Sequence, residues 1–176
     1  MNPDTFDPFS GRLARDIRNS LSKAFLKSLA LHEPLVLQRV ADGFSGQQLP
    51  PPYQDYIEDR LARYAEAREA IIKHDIIGVV EQSQILWELQ LYYEMHELLE
   101  GIWLESAGTR RKALQGLIRA AGMKIHAERG RHKAARTMAA KSLTDLMEYR
   151  SALPEFQKID SVLEEARKIA ETFSDA

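Results

Sequence analysis

The sequence contains no cysteine, which excludes disulfides, thiolate zinc sites and cysteine nucleophiles and suits a reducing compartment. It has no run of about 18 apolar residues, so no segment is expected to span a membrane. Residues 1–10 carry two prolines and two aspartates but no apolar h-region, which argues against a secretory signal. Cytoplasmic residence is the expectation. A basic excess is missing too: 24 Lys and Arg face 26 Asp and Glu, for a net charge of -2. Phosphate-backbone binding draws on such an excess, so nucleic acid is not an expected partner. There is no glycine-rich phosphate loop, nucleophile elbow or dinucleotide fingerprint. No cofactor is expected, and no catalytic residue is assigned.

What remains is ordinary globular material. With 44% hydrophobic and 28% charged residues over 176 positions, the chain can bury the core of one domain. The expected fold is all-α, a closed antiparallel bundle of five to six helices within a single domain, 1–176. In that reading residues 1–80 form N-terminal helices, 83–150 a helical core and 154–174 a C-terminal helix. No internal repeat of fixed period argues for a solenoid.

Ser10 is placed to cap a first helix over 11–31, with Leu13, Ile17, Leu21, Leu26 and Leu29 at helical spacing. A short helical turn is expected after Pro34. Gly43, Gly46 and the run Pro50-Pro51-Pro52 then break the helical pattern. A second long helix is expected over 53–73 and a third over 83–105. Gly108 suits a left-handed helix end, Thr109 a cap for the next helix, and Gly130 the end of that one. A further helix covers roughly 131–150 and stops before Pro154. Asp160 and Glu164 open the last, whose apolar side includes Val162, Leu163, Ile169 and Phe173.

The segment 83–105 is the most informative. At about 100° per residue, its apolar side chains sweep a wide arc of roughly 240°, leaving a narrow polar face with Glu94 and Glu97. His96 and Glu100 fall inside the apolar arc, four residues apart and one turn from each other. A buried carboxylate needs a partner, a proton or a ligand, so this pair is a candidate site. On the following helix Gln115, Arg119, Gly122 and His126 share a face with Arg111. His96, Glu100, Gln115, Arg119 and His126 therefore form the candidate polar cluster. Trp103, Tyr93 and Gly116 are expected to pack beside it, and Gly122 to permit a close approach. Trp87 projects near the polar face at the helix start, as a candidate partner contact or simply a residue at a turn.

These residues also carry a resemblance. Tyr93-Glu94-Met95-His96-Glu97-Leu98-Leu99-Glu100, Trp103, Gln115-Gly116-Leu117-Ile118, His126, Gly130 and Ala134-Ala135 together resemble the prokaryotic family known as domain of unknown function 309. The likeness extends over about 87–146, and Leu153-Pro154-Glu155-Phe156 with Ile159-Asp160 resembles the endings of some members. It implies a small closed helical bundle and no particular activity. Many members carry Gln where this chain has Arg119, and that extra cation near Glu100 favours a salt bridge over a metal.

Two functional readings follow. In the first, the cluster is a polar network that fixes helix register in a non-catalytic interaction or scaffolding module, which binds a protein partner or itself through apolar and aromatic residues of the early helices. In the second, the chain is a small-ligand or metal-binding protein or an enzyme. His96, Glu100 and His126 would then be the weak candidate metal ligands, and Arg111 or Arg119 would clamp a carboxylate or phosphate.

Overall fold

The computed structural model describes residues 6–9 and 11–172. Within them the fold is all-α, with eight α-helices where five or six were expected. They are α1 (Arg12–Leu31), α2 (Leu35–Ser45), α3 (Pro51–Lys73), α4 (Val79–Glu88), α5 (Tyr92–Glu105), α6 (Gly108–Ala127), α7 (His132–Tyr149) and α8 (Ile159–Thr172), with a 3-10 turn at Arg150–Ala152. None is long and apolar enough to cross a membrane. Ser10 and Phe173, expected to cap the first helix and line the last, lie outside the described residues.

The chain divides into two compact units, Met1–Ile72 and Lys73–Ala176. In the first, α1 buries Ile17, Leu21, Phe25 and Leu29, a four-residue spacing that makes one apolar stripe. Phe25 stacks on Tyr64 of α3 with ring centroids 4.1 Å apart. Leu13, expected in that stripe, is 42% exposed. Arg18 is buried and sits over the Phe9 ring at 4.5 Å, its stem covered while its charge faces an aromatic surface. The proline run starts α3 instead of preceding it. Pro51 is its first residue, where the lacking N–H has no intrahelical acceptor to lose.

In the second unit α6 packs most extensively on α7, and α5 and α8 flank the pair. The α6–α7 contact is close because of what lines it: Ala113, Gly116, Ala120, Ala135, Ala139 and Ser142 are all buried. A Cβ at Gly116 would stand 2.8 Å from Leu146 Cδ2, so only glycine fits without a shift. Ser142 Oγ donates to the Gly116 carbonyl at 2.8 Å and satisfies its own hydroxyl in this dry contact. Gly122, expected to mark the close approach, has only an ordinary contact with Met138 at 3.9 Å.

The expected single helix over 83–105 is two helices. Gln90 takes a left-handed φ of 57°, and Leu91 N–H donates to the Leu86 carbonyl at 2.8 Å. This is the closing bond of a helix end built without glycine. Gly130 ends α6 as expected, with φ 63° and Arg131 N–H donating to the His126 carbonyl. Gly108 is left-handed as expected (φ 60°), but it opens α6, so Thr109 lies inside the helix and Ala107 occupies the cap position without a side-chain bond.

Candidate functional site: a donor-rich pocket on the second unit

The break at Gln90 resets the helical phase, and α5 turns a different face inward from the one a continuous wheel gives. Tyr92, Glu94, Met95 and Leu99 are its buried residues. Glu100, expected inside, is exposed with 48% of its side chain accessible, and His96 is half-buried at 31%. Glu94, expected on the polar face, is fully buried in the first turn of α5, where the positive end of the helix dipole favours a carboxylate. The wide apolar arc misled because apolar side chains need not be covered: Leu104 is 64% exposed and Tyr93 only part-buried. Trp87, read as a partner contact, is buried and meets Tyr92 edge-on at 5.2 Å.

The five cluster residues fall in three places. His96 Nδ1 lies 3.5 Å from Glu97 Oε1 and 3.9 Å from Glu100 Oε2, contacts that become ion pairs only when the imidazole is protonated. Ligand atoms of His96, Glu97 and Glu100 lie within 4.8 Å of one another, so Glu97, not His126, is the third member of that group. Both of its carboxylates are exposed, a common surface arrangement without any ion.

Gln115 and Arg119 lie together on α6, beside a different set of neighbours. With Trp103 of α5, Arg111 and Lys112 of α6 and Asp145 of α7, they line a pocket of about 160 Å³. Arg119 Nη1 is hydrogen-bonded to Asp145 Oδ2, with 30% and 11% of the two side chains accessible. The expected salt bridge of Arg119 is therefore made to α7 rather than to Glu100. Arg111 lies over the Trp103 ring at 3.9 Å and donates from Nη1 to the Ser106 carbonyl at 3.1 Å. Asp145 escaped the sequence reading. Its signal is a carboxylate bordering the Ala135, Ala139, Ser142 and Leu146 stripe, a position that must face a cation once the stripe is buried.

His126 stands apart in the last turn of α6. Burial and the nearby charge of Arg131 hold its imidazole below the ordinary value of 6.5. The unfolded chain therefore takes up this proton at a higher pH than the folded one, and stability falls as pH drops through that window. Urea titrations at about pH 7 and about pH 5 are expected to show a smaller acid-side loss for His126→Gln than for the parent. Equal losses in both would mean that His126 is not part of the response.

Other charged links join separate segments of this unit. Lys124 Nζ contacts Glu165 Oε2 at 2.8 Å and lies 5.4 Å from the Tyr92 ring centre. Burial raises the Tyr92 hydroxyl above its ordinary pKa. Burial alone would lower Lys124, but the bonds to Glu165 and Tyr92 outweigh it and hold the ammonium charged. Arg110 reaches Glu155 at 2.6 Å, and Lys158 reaches Glu88 at 2.8 Å.

The second unit is thus a helical frame tied by ion pairs, with one donor-rich pocket on its α5–α6–α7 face. Residues 80–138 within it match the family described as Domain of unknown function (DUF309), the family that the sequence resembles. The match includes every pocket residue except Asp145. No curated protein and no solved structure matches the chain.

Proposed function

We propose that the protein is a non-catalytic helical interaction module of the cytoplasm that associates with a second copy through α2. The carrying observation is the apolar side of that helix. Of its six apolar residues, Leu35, Val36, Leu37, Val40, Ala41 and Phe44, only Ala41 is fully buried. Leu35 is 64% exposed, and Leu31 just before it 49%. Val36, Leu37, Val40 and Phe44 are part-buried, and an apolar side covered only in part favours a partner that completes the cover. A net charge of -2 offers little electrostatic repulsion between copies, which favours self-association over a partner of opposite charge. The polar pairs of the second unit support the non-catalytic half of the reading. Arg119–Asp145, Lys124–Glu165 and Arg110–Glu155 join separate segments, and such links fix register.

Sedimentation velocity tests this directly. The wild-type chain is expected to shift from monomer to dimer as concentration rises toward about 100 µM, a range that captures weak association. Leu35→Glu places a charge in the contact and is expected to keep the chain monomeric with unchanged helix content. A wild-type chain that stays monomeric throughout, or a variant that dimerises equally well, would sink the proposal.

A further inference from the structure

We propose that the pocket between α5, α6 and α7 is an oxyanion-binding site that receives a carboxylate or phosphate group. The inference goes beyond the interaction-module reading and stands whether or not α2 pairs with a second copy.

The lining is an excess of donors over acceptors. Asp145 is its one carboxylate, and it is engaged by Arg119. Lys112 has no ion pair or hydrogen bond among the described residues, and the Gln115 amide has none either. The Trp103 Nε1–H is buried and has no hydrogen-bond acceptor. Arg111 makes both of its hydrogen bonds from Nη1, to the Leu104 and Ser106 carbonyls, and has no carboxylate partner. Its Nε and Nη2 remain available, as do the same two nitrogens of Arg119, whose one bond is from Nη1. A buried donor without an acceptor is costly, and an anion supplies several lone pairs at once.

Charge placement points the same way. Gly108 opens α6, so Arg111 and Lys112 stand near the helix end whose dipole repels cations. Asp145 offsets Arg119, and the charges of Arg111 and Lys112 remain unbalanced. The Arg111 guanidinium also lies over the Trp103 ring at 3.9 Å, a cation–π contact that holds its charge at the pocket. Volume sets the ligand class. About 160 Å³ is well below the roughly 300 Å³ at which pockets for drug-sized molecules begin. It suits a single carboxylate or phosphoryl group, free in solution or at the end of an acidic side chain.

The test uses the full chain labelled with 15N and titrated with inorganic phosphate, and separately with acetate and a short Glu-rich peptide, at constant ionic strength. The expected result is a saturable shift of the Trp103 indole N–H signal, identified by its loss in Trp103→Phe. Lys112→Ala and Arg111→Gln are each expected to weaken binding about fivefold or more, as for loss of a charge-assisted bond. Lys112 is exposed, so that variant keeps the fold and separates lost binding from lost structure. Tighter peptide than phosphate binding assigns the anion to a protein side chain. Tighter phosphate binding assigns it to a free phosphoryl group. Absence of saturation with all three ligands, or saturation unchanged in both variants, would overturn the proposal.

Discussion

Phe25→Ala is expected to lower the protection of α1 and α3 amides against hydrogen exchange by about 3–5 kcal/mol, the range for truncating a buried aromatic ring. Phe25 is 0% exposed and Tyr64 1%, and their rings lie nearly parallel at an interplanar angle of 6°. Truncation therefore removes buried apolar area and also strips the ring partner from Tyr64, worth a further ~0.5–1.5 kcal/mol beyond area. Leu13→Ala in the same helix is the internal comparison. At 42% exposure its loss should stay within about 0.5 kcal/mol, as for a surface substitution. Exchange is the right readout because it reports α1 and α3 locally, whatever the second unit does. Similar effects for Phe25 and Leu13 would mean that the aromatic stack is not the anchor of this unit.

The Phe25–Leu13 contrast also shows how far sequence patterning reaches. Spacing placed both residues in one helix, and the helix is there with nearly the predicted ends. Whether a given leucine is covered depends on how far the neighbouring helices extend, and spacing carries no trace of that. Punctuation by glycine and proline was equally legible. Gly130 ends α6 at φ 63°; the proline run was legible as a boundary but not as a helix start, since Pro51 and Pro52 open α3. The break at Gln90 was not legible. A glutamine carries no signal for a left-handed turn, and it is favoured here because Leu91 is drawn to 0% exposure just beyond it. Burial of a neighbour won over local propensity.

That one missed turn accounts for most of the misplaced site. A wheel drawn across 83–105 carries the phase of α4 into α5 and turns Glu100 inward. Read from Tyr92 alone, Met95 and Leu99 define the inner face, and Glu100 lies beside it. Gln115 and Arg119 lie together as expected because α6 is one unbroken helix of 20 residues, over which helical phase carries through. Trp103 was expected beside them; Asp145 was not, because it comes from another helix, α7. Which helices meet α6 on that side is a question of crossing geometry, and one chain without coordinates leaves it open. The resemblance, read over about 87–146, overlaps the family match at 80–138, and Asp145 lies beyond the end of that match.

The crossing itself yields the other large effect. Leu146→Ala is expected to cost about 2–5 kcal/mol, since Leu146 is fully buried against α6 and its removal leaves a cavity. Gly116→Ala is the opposite perturbation at the same spot. Alanine is favoured over glycine inside a helix by ~1 kcal/mol. At Gly101, where nothing lies within 4 Å of an added Cβ, that gain should appear in full. At Gly116 the added Cβ would meet Leu146 Cδ2 and Cγ at 2.8 Å and Asp145 Cβ at 3.1 Å. Overpacking of that kind costs about 1–3 kcal/mol, so the propensity gain is cancelled or reversed. In the Leu146→Ala background the worse clash disappears, and Gly116→Ala should become neutral or stabilising. The resulting non-additivity is expected at ~0.5–3 kcal/mol by urea denaturation, as for residues in contact. Additivity within about 0.3 kcal/mol would mean that α6 and α7 separate freely and that glycine does not set their distance. A set distance matters beyond stability. Asp145 is one of the two residues that the new Cβ would displace, and its carboxylate holds Arg119 at the pocket. Gly116→Ala alone is therefore expected to weaken phosphate binding as well, although no atom of Gly116 lines the site.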